Sequence, residues 1–106
     1  MGQFVIACYR PLEGKAKQLQ AIVKEHLPTL RREDLVTDRP AHVMQSADGT
    51  ILEVFEWKSQ AAIDAAHENK NVMALWDRFG QVCEYVPLAG LAEANQVFPP
   101  FAPVEL

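Results

Sequence analysis

The sequence is poor in several features that mark particular functions. No basic cluster is present. Lys and Arg number 10 against 14 Asp and Glu, and the densest basic run, Arg31-Arg32, is followed at once by Glu33-Asp34. Phosphate backbones need a positive face, so a chain of net charge −4 is not expected to bind nucleic acid. No apolar run approaches the roughly 20 residues that span a bilayer, so no membrane partner is expected. The opening "MGQFVIACYRP" has no basic region before its short apolar run and does not read as a signal peptide. It begins Met-Gly, but Ile6 stands where N-myristoylation needs Ser or Thr. The expected location is the cytoplasm. Cysteine is scarce: Cys8 and Cys83 read as free, small buried hydrophobes in a reducing compartment. Neither has a sign of the paired base that a nucleophile needs. The three histidines, His26, His42 and His67, are too widely spaced for a zinc motif. There is no GxGxxG and no P-loop. No metal and no bound cofactor are expected.

The 106 residues fit a single domain, 1–106. "QFVIACYR", residues 3–10, is rich in β-branched and aromatic side chains and predicts a strand. "PLEG" makes a turn. Leu19, Ile22, Val23, His26, Leu27 and Leu30 then recur at helical spacing and mark one apolar face. Pro28 should end or kink this helix, although Leu30 keeps the pattern. Two β-type runs, about 35–46 and 50–58, flank Asp48-Gly49, a preferred hairpin dipeptide. Pro40 makes the first of them an edge strand or breaks it. Ser59 is a natural cap for a short helix, and Asn69 or Asn71 can cap the next. Val72, Leu75, Trp76, Phe79, Val82 and Cys83 give that helix its apolar face, and residues 84–88 form a last short strand. "AGLAEA" suits one or two helical turns. The tail "NQVFPPFAPVEL" has too much proline for a helix and is too apolar to be solvated, so residues 89–106 should pack on their own subunit or on a partner.

The order β-α-β-β-α-β predicts an α+β, ferredoxin-like subunit with a four-stranded antiparallel sheet and helices on one face. Both sheet faces read as largely apolar. In strand one Phe4, Ile6 and Cys8 oppose Val5, Ala7 and Tyr9. In strand three Leu52 and Val54 oppose Ile51, Phe55 and Trp57. A half-solvated antiparallel sheet would alternate with polar residues, and a small domain gains from a partner subunit. A homodimer paired through the free sheet face is therefore expected.

The strand ending "FEWKS", then "AAIDAAHEN", then a helix with "VMALW", resembles the antibiotic-biosynthesis-monooxygenase (ABM) domain family. The opening strand followed by "RPLEGKAKQLQAIVKEH" fits the same pattern, and the resemblance covers residues 3–88. It implies a dimeric α/β barrel built from ferredoxin-like subunits. For function it implies a range: cofactor-independent oxygenases of polycyclic aromatics, haem-degrading enzymes, isomerases and members without known activity. Fold alone does not choose among them. The haem-degrading members carry an Asn on the first strand, which "QFVIACYR" lacks, and a helical His where this chain has Trp76. Haem is not expected.

His67 matches the family's histidine after the short helix and is the candidate catalytic residue. A neutral imidazole there could orient an acidic phenol or take its proton near neutral pH. The plainer reading is a residue that joins two helices by bonding to backbone. His26 sits on the apolar stripe of the first helix, where it is either a satisfied core residue or part of a pocket wall. Trp57 and Trp76 could stack on a flat ligand or simply fill the core. Tyr9 and Tyr85 carry hydroxyls that could orient a substrate. The candidate substrate-binding set is His26, Trp57, Trp76 and Tyr9. Glu53 and Glu56 have opposite parity and so lie on opposite faces. One alternative puts one of them at the end of the barrel, where an apolar cavity would raise a carboxylate's pKa; the favoured places are the rim or an interchain ion pair. His42 is expected in solvent or at the dimer seam.

Two functions follow. One is a cofactor-independent monooxygenase or related enzyme acting on an apolar or aromatic small molecule. The other is a non-catalytic dimeric protein that binds a ligand or serves an accessory role. An open cavity of roughly 300 Å³ or more with convergent polar groups favours the first.

Overall fold

The computed structural model describes residues 2–106. In chain order the elements are β1 (Gln3–Pro11), α1 (Ala16–Arg32), β2 (His42–Gln45), β3 (Ile51–Trp57), α2 (Gln60–Ala66), α3 (Lys70–Val82), β4 (Cys83–Tyr85) and β5 (Ala102–Pro103), with 3₁₀ turns at Leu88–Gly90 and Ala92–Asn95 between the last two strands. The sheet is antiparallel, with strand order β4-β1-β3-β2-β5.

The caps explain where the helices start and stop. The Ser59 side chain accepts from the Ala62 amide at 3.1 Å, and Asn69 Oδ1 accepts from the Asn71 and Val72 amides. Each satisfies donors that a helix start leaves unpaired. Pro28 does not end α1, which runs on to Arg32 because Thr29 and Leu30 stay buried beyond it. The helix stops in a Schellman arrangement. Asp34 takes φ 60°, its amide bonds to the Arg31 carbonyl, and the Leu35 amide reaches back to the Leu30 carbonyl. Leu30 and Leu35 pack in the same cluster, as the motif favours.

The expected strand at 35–46 is largely irregular. Val36 forms one bridge to Trp57, the ladder then lapses through Pro40, and pairing resumes at His42. Proline has no N–H to give the ladder. The sheet also has five strands rather than the expected four. The tail crosses the second face of the sheet and adds β5 beside β2, pairing Met44 with Pro103 and Gln45 with Ala102. It therefore packs on its own subunit. β2 left an unpaired edge, and the Val104 amide fills part of it by donating to the Val43 carbonyl at 3.0 Å.

The two faces of the sheet are covered differently. Val5, Ala7 and Tyr9 of β1 lie beside Phe55, Glu53 and Ile51 of β3. This face receives the helices: Leu19, Ile22 and Val23 of α1 and Leu75, Phe79 and Val82 of α3 pack on Tyr9 and Ile51. Arg78 holds the Glu25 carboxylate in a two-pronged pair at 3.0 and 2.8 Å, tying α3 to α1. On the opposite face Cys8 and Leu52 pack with Leu91 and are flanked by Leu88 and Phe101 from the tail. The tail leaves Phe4 and Ile6 exposed on that face, and its own Val97 and Phe98 are 88 % exposed.

Candidate functional site

The helix-covered face holds a string of polar side chains inside an apolar shell. Parity puts Tyr9 on β1 and Glu53 on β3 beneath the helices, and the i, i+3, i+4 stripe of α1 brings His26 down onto them. The Tyr9 hydroxyl donates to Glu53 Oε1 at 2.8 Å, and His26 Nδ1 lies 2.7 Å from the same oxygen. On its other side, His26 Nε2 lies 3.1 Å from Trp76 Nε1 of α3. The partners fix the tautomer. An indole nitrogen can only donate, so His26 Nε2 accepts and Nδ1 carries the proton it gives to Glu53. Glu53 Oε1 thus accepts from two donors. Glu53 is 1 % and His26 3 % exposed, so both are placed by these bonds rather than by water. The His26 ring stands edge-on to Phe55 at 5.5 Å and to Phe79 at 5.1 Å, which locks its plane.

Tyr9 stacks on Phe79 at 4.7 Å. Burial, then the Glu53 charge and the hydrogen bond to it, push the Tyr9 phenol well above its usual range. Tyr9 is therefore a fixed neutral donor to Glu53. The thiols offer no nucleophile. Cys83 donates to the Phe79 carbonyl, and burial pushes it up to about 11.

This string opens on a cavity of about 490 Å³ between the sheet and the helices. Val5, Ile6, Ala7, Phe55, Ile63 and Phe79 form its apolar wall, and Tyr9, His26, Trp57, His67, Trp76, Asp77 and Tyr85 complete the lining. His67, Asp77 and Tyr85 are exposed, whereas Tyr9, His26 and Trp57 are buried. Thus His67, His26, Trp57, Trp76 and Tyr9 all border one cavity, though in different places. His67 stands at the end of α2, with Nδ1 2.8 Å from the Ile63 carbonyl. A carbonyl only accepts, so Nδ1 donates and the ring is tied to backbone. Its ring meets the Trp76 ring edge-on, with centroids 5.1 Å apart. His67 is a rim residue, and the buried imidazole of the site is His26.

Glu53 corrects the sequence reading. It lies neither at the rim nor in an interchain pair but at the centre of the string, because it shares the parity of Ile51, Phe55 and Trp57. The available signal was a carboxylate on an otherwise apolar stripe facing a helix whose own apolar stripe carries His26. Glu56, on the opposite parity, takes Arg39 Nε at 2.8 Å and the Thr37 hydroxyl at 2.9 Å within the chain. His42 is exposed.

Among the described residues, no three His, Cys, Asp or Glu side chains come together in a group that could hold a metal ion, and no helix is long and apolar enough to cross a membrane. Fold and site together define an α+β chain with a five-stranded antiparallel sheet, three helices on one face and a polar string set in an apolar cavity. The architecture is similar to the structure of Rv0793 from Mycobacterium tuberculosis. The TM-score is 0.65 at 22 % identity, over 82 % of this chain and 87 % of that one. At that identity the likeness concerns the fold alone. No protein-family model matches the chain, and no curated protein matches it.

Proposed function

We propose that the chain is a small-molecule enzyme whose cavity takes an apolar, aromatic substrate, with His26 as the base and Glu53 as its orienting carboxylate. The observation that carries this reading is the Trp76–His26–Glu53–Tyr9 string opening on an apolar cavity of about 490 Å³. A buried imidazole with Nδ1–H on a carboxylate presents Nε2 as a proton acceptor, and the carboxylate stabilises the imidazolium that forms. A substrate O–H would break, its proton would pass to Nε2, and an electron-rich anion would remain in the apolar shell. The resemblance to the ABM domain family supplies the reaction class. Such an anion, with carbanion character at a ring C–H carbon, would bond O₂ there. The peroxide would take the proton back from Nε2 and lose water as its O–O and C–H bonds break, leaving a carbonyl, so the reading is monooxygenation with no bound cofactor. The same resemblance, over residues 3–88, supports a ferredoxin-like subunit paired with a second copy through the sheet face at Phe4 and Ile6, and the chain length supports one domain over 1–106. The free thiols of Cys8 and Cys83 support a cytoplasmic setting.

The test is oxygen uptake with a panel of naphthalene- and anthracene-diols. His26→Ala should lower turnover by about 10²–10⁴-fold, and His67→Ala by less than about tenfold. The reverse ranking would move the base to His67, and full activity of His26→Ala would remove the reading altogether. A second reading, a non-catalytic ligand-binding or accessory protein, is favoured by one observation: each member of the string already has its partner within the chain. Binding of panel members without oxygen uptake or product would select it.

A further inference from the structure

The nitrogen that a bound molecule would have to reach is occupied by the protein itself. Trp76 Nε1–H sits on His26 Nε2 at 3.1 Å, while Nδ1 is committed to Glu53 at 2.7 Å. As long as the indole stays there, His26 has no free lone pair. The four members of the string differ in how firmly they are held. Tyr9, His26 and Glu53 are buried, and Glu53 holds one partner from β1 and one from α1, whereas Trp76 is half-buried beside the exposed Asp77 and hydrogen-bonds only through its indole N–H. A neutral N–H···N bond is also weaker than one to a carboxylate. The member that can yield is Trp76.

We infer that Trp76 is a specificity latch: its indole N–H stands in for a ligand's donor at His26 Nε2, and only molecules that bring an O–H or N–H of their own displace it. A flat apolar molecule without a donor can enter the cavity, but it leaves the latch closed because an uncovered, buried Nε2 would lose its hydrogen bond with nothing in return. A molecule with a donor exchanges one hydrogen bond for another. The latch selects for the group that the base must meet. This rests on the reading of the cavity as the working site, and it requires no turnover.

The probes are 2-naphthol and 2-methoxynaphthalene, which share a ring system and differ in the donor. The chain has two tryptophans, so the intact protein gives two indole N–H resonances in a ¹H–¹⁵N spectrum, and Trp76→Phe assigns them. At pH 8, 2-naphthol should shift the Trp76 indole proton upfield as it leaves His26, and 2-methoxynaphthalene should bind without doing so. Trp76→Phe keeps a ring but removes the donor. It should bind 2-naphthol about three- to tenfold more tightly than the parent chain, the worth of one neutral hydrogen bond, and 2-methoxynaphthalene no more tightly. If Trp76→Phe does not fold, a nuclear Overhauser effect between the indole proton and the His26 ring, whose Nε2 lies 3.1 Å from the indole nitrogen, assigns the signal, and the spectra of the unmodified chain decide. Both probes moving the indole signal equally, or neither moving it while His26 and Phe79 signals report binding, would overturn the latch and leave the proposed function standing. Absence of binding by both probes would remove the cavity as a site and the latch with it. Latch opening without oxygen uptake from the diol panel would retain the latch and sink the oxygenase reading.

Discussion

Glu53 decides more than any other single side chain. Its Oε1 holds Tyr9 and His26 together across two strands and a helix. Glu53→Ala would leave a buried hydroxyl and a buried ring N–H without an acceptor, each costing about 1–3 kcal/mol. We expect a loss of about 2–5 kcal/mol in urea denaturation, and a smaller one for Glu53→Gln, which keeps a carbonyl oxygen to accept. Tyr9 gives a pH signature. Its folded phenol ionises well above the unfolded value near 10, so the folded state binds more protons in alkali. That contribution is complete below pH 10 and fades as pH rises through the folded value. Thermal melts should therefore fall more steeply above pH 10 for the native chain than for Tyr9→Phe. At this scale the sequence was partly legible. His26, Tyr9, Trp57 and Trp76 carried signals of their own, because aromatic and imidazole groups on apolar stripes must either find partners or line a space. For Glu53 the cavity was the lesser alternative, because parity alone pairs it with a face, and its partners lie 27 and 44 positions away in the chain.

Among the elements, helices announced themselves best, since their caps and periodic stripes are local. Ser59 and Asn69 cap where side-chain chemistry favours it. The hairpin was equally plain, with Gly49 at φ 94° as the turn demands. Asp48 organises that turn: its carboxylate accepts from the Ser46 hydroxyl and, at 2.8 Å, from the Thr50 amide. These bonds, the Ser46 one foremost, hold its carboxyl down at about 2 against an ordinary value of 3.8. The folded state thus releases the proton more readily, and the stabilisation is present above pH 3.8 and lost as pH falls towards 2. Asp48→Asn should lower the neutral melt and flatten the acid limb, so that the two chains converge as pH falls towards 2. Local reading placed a break at Pro40 as one of two outcomes, and the chain does lapse there; its extent over residues 37–41 depends on where α1 delivers the chain after Asp34.

For the molecule as a whole, the tail is the least legible part. Its prolines rule out a helix, but nothing local says which surface a Pro-rich segment will cross. In the structure Leu91 sits 1 % exposed on Cys8 and Leu52. Leu91→Ala should cost about 2–5 kcal/mol, as for other fully buried leucines, measured by chemical denaturation. A cost under about 1 kcal/mol would mean that the tail rests on the sheet only loosely. The exposed Phe4 and Ile6 beside it bear on the proposed pairing of two copies. Light scattering on a sized sample should give twice the chain mass, and Phe4→Glu with Ile6→Glu should return it to the mass of one chain with the melting temperature nearly kept. A single-chain mass for the unmodified protein would end that part of the proposal. The borders of the sheet have a separate effect. β4 has three residues, and β5 has two, one of them Pro103, which has no amide hydrogen to offer. A stray strand arriving beside β5 finds almost no ladder to climb, whereas β4 pairs only with Tyr9–Pro11 and, among the described residues, leaves residues 3–7 of β1 without a neighbour on that side. The sheet is fenced at one border and open at the other, so thioflavin-positive fibrils from overheated samples should grow from the β1 border, and Phe4→Lys there should slow them.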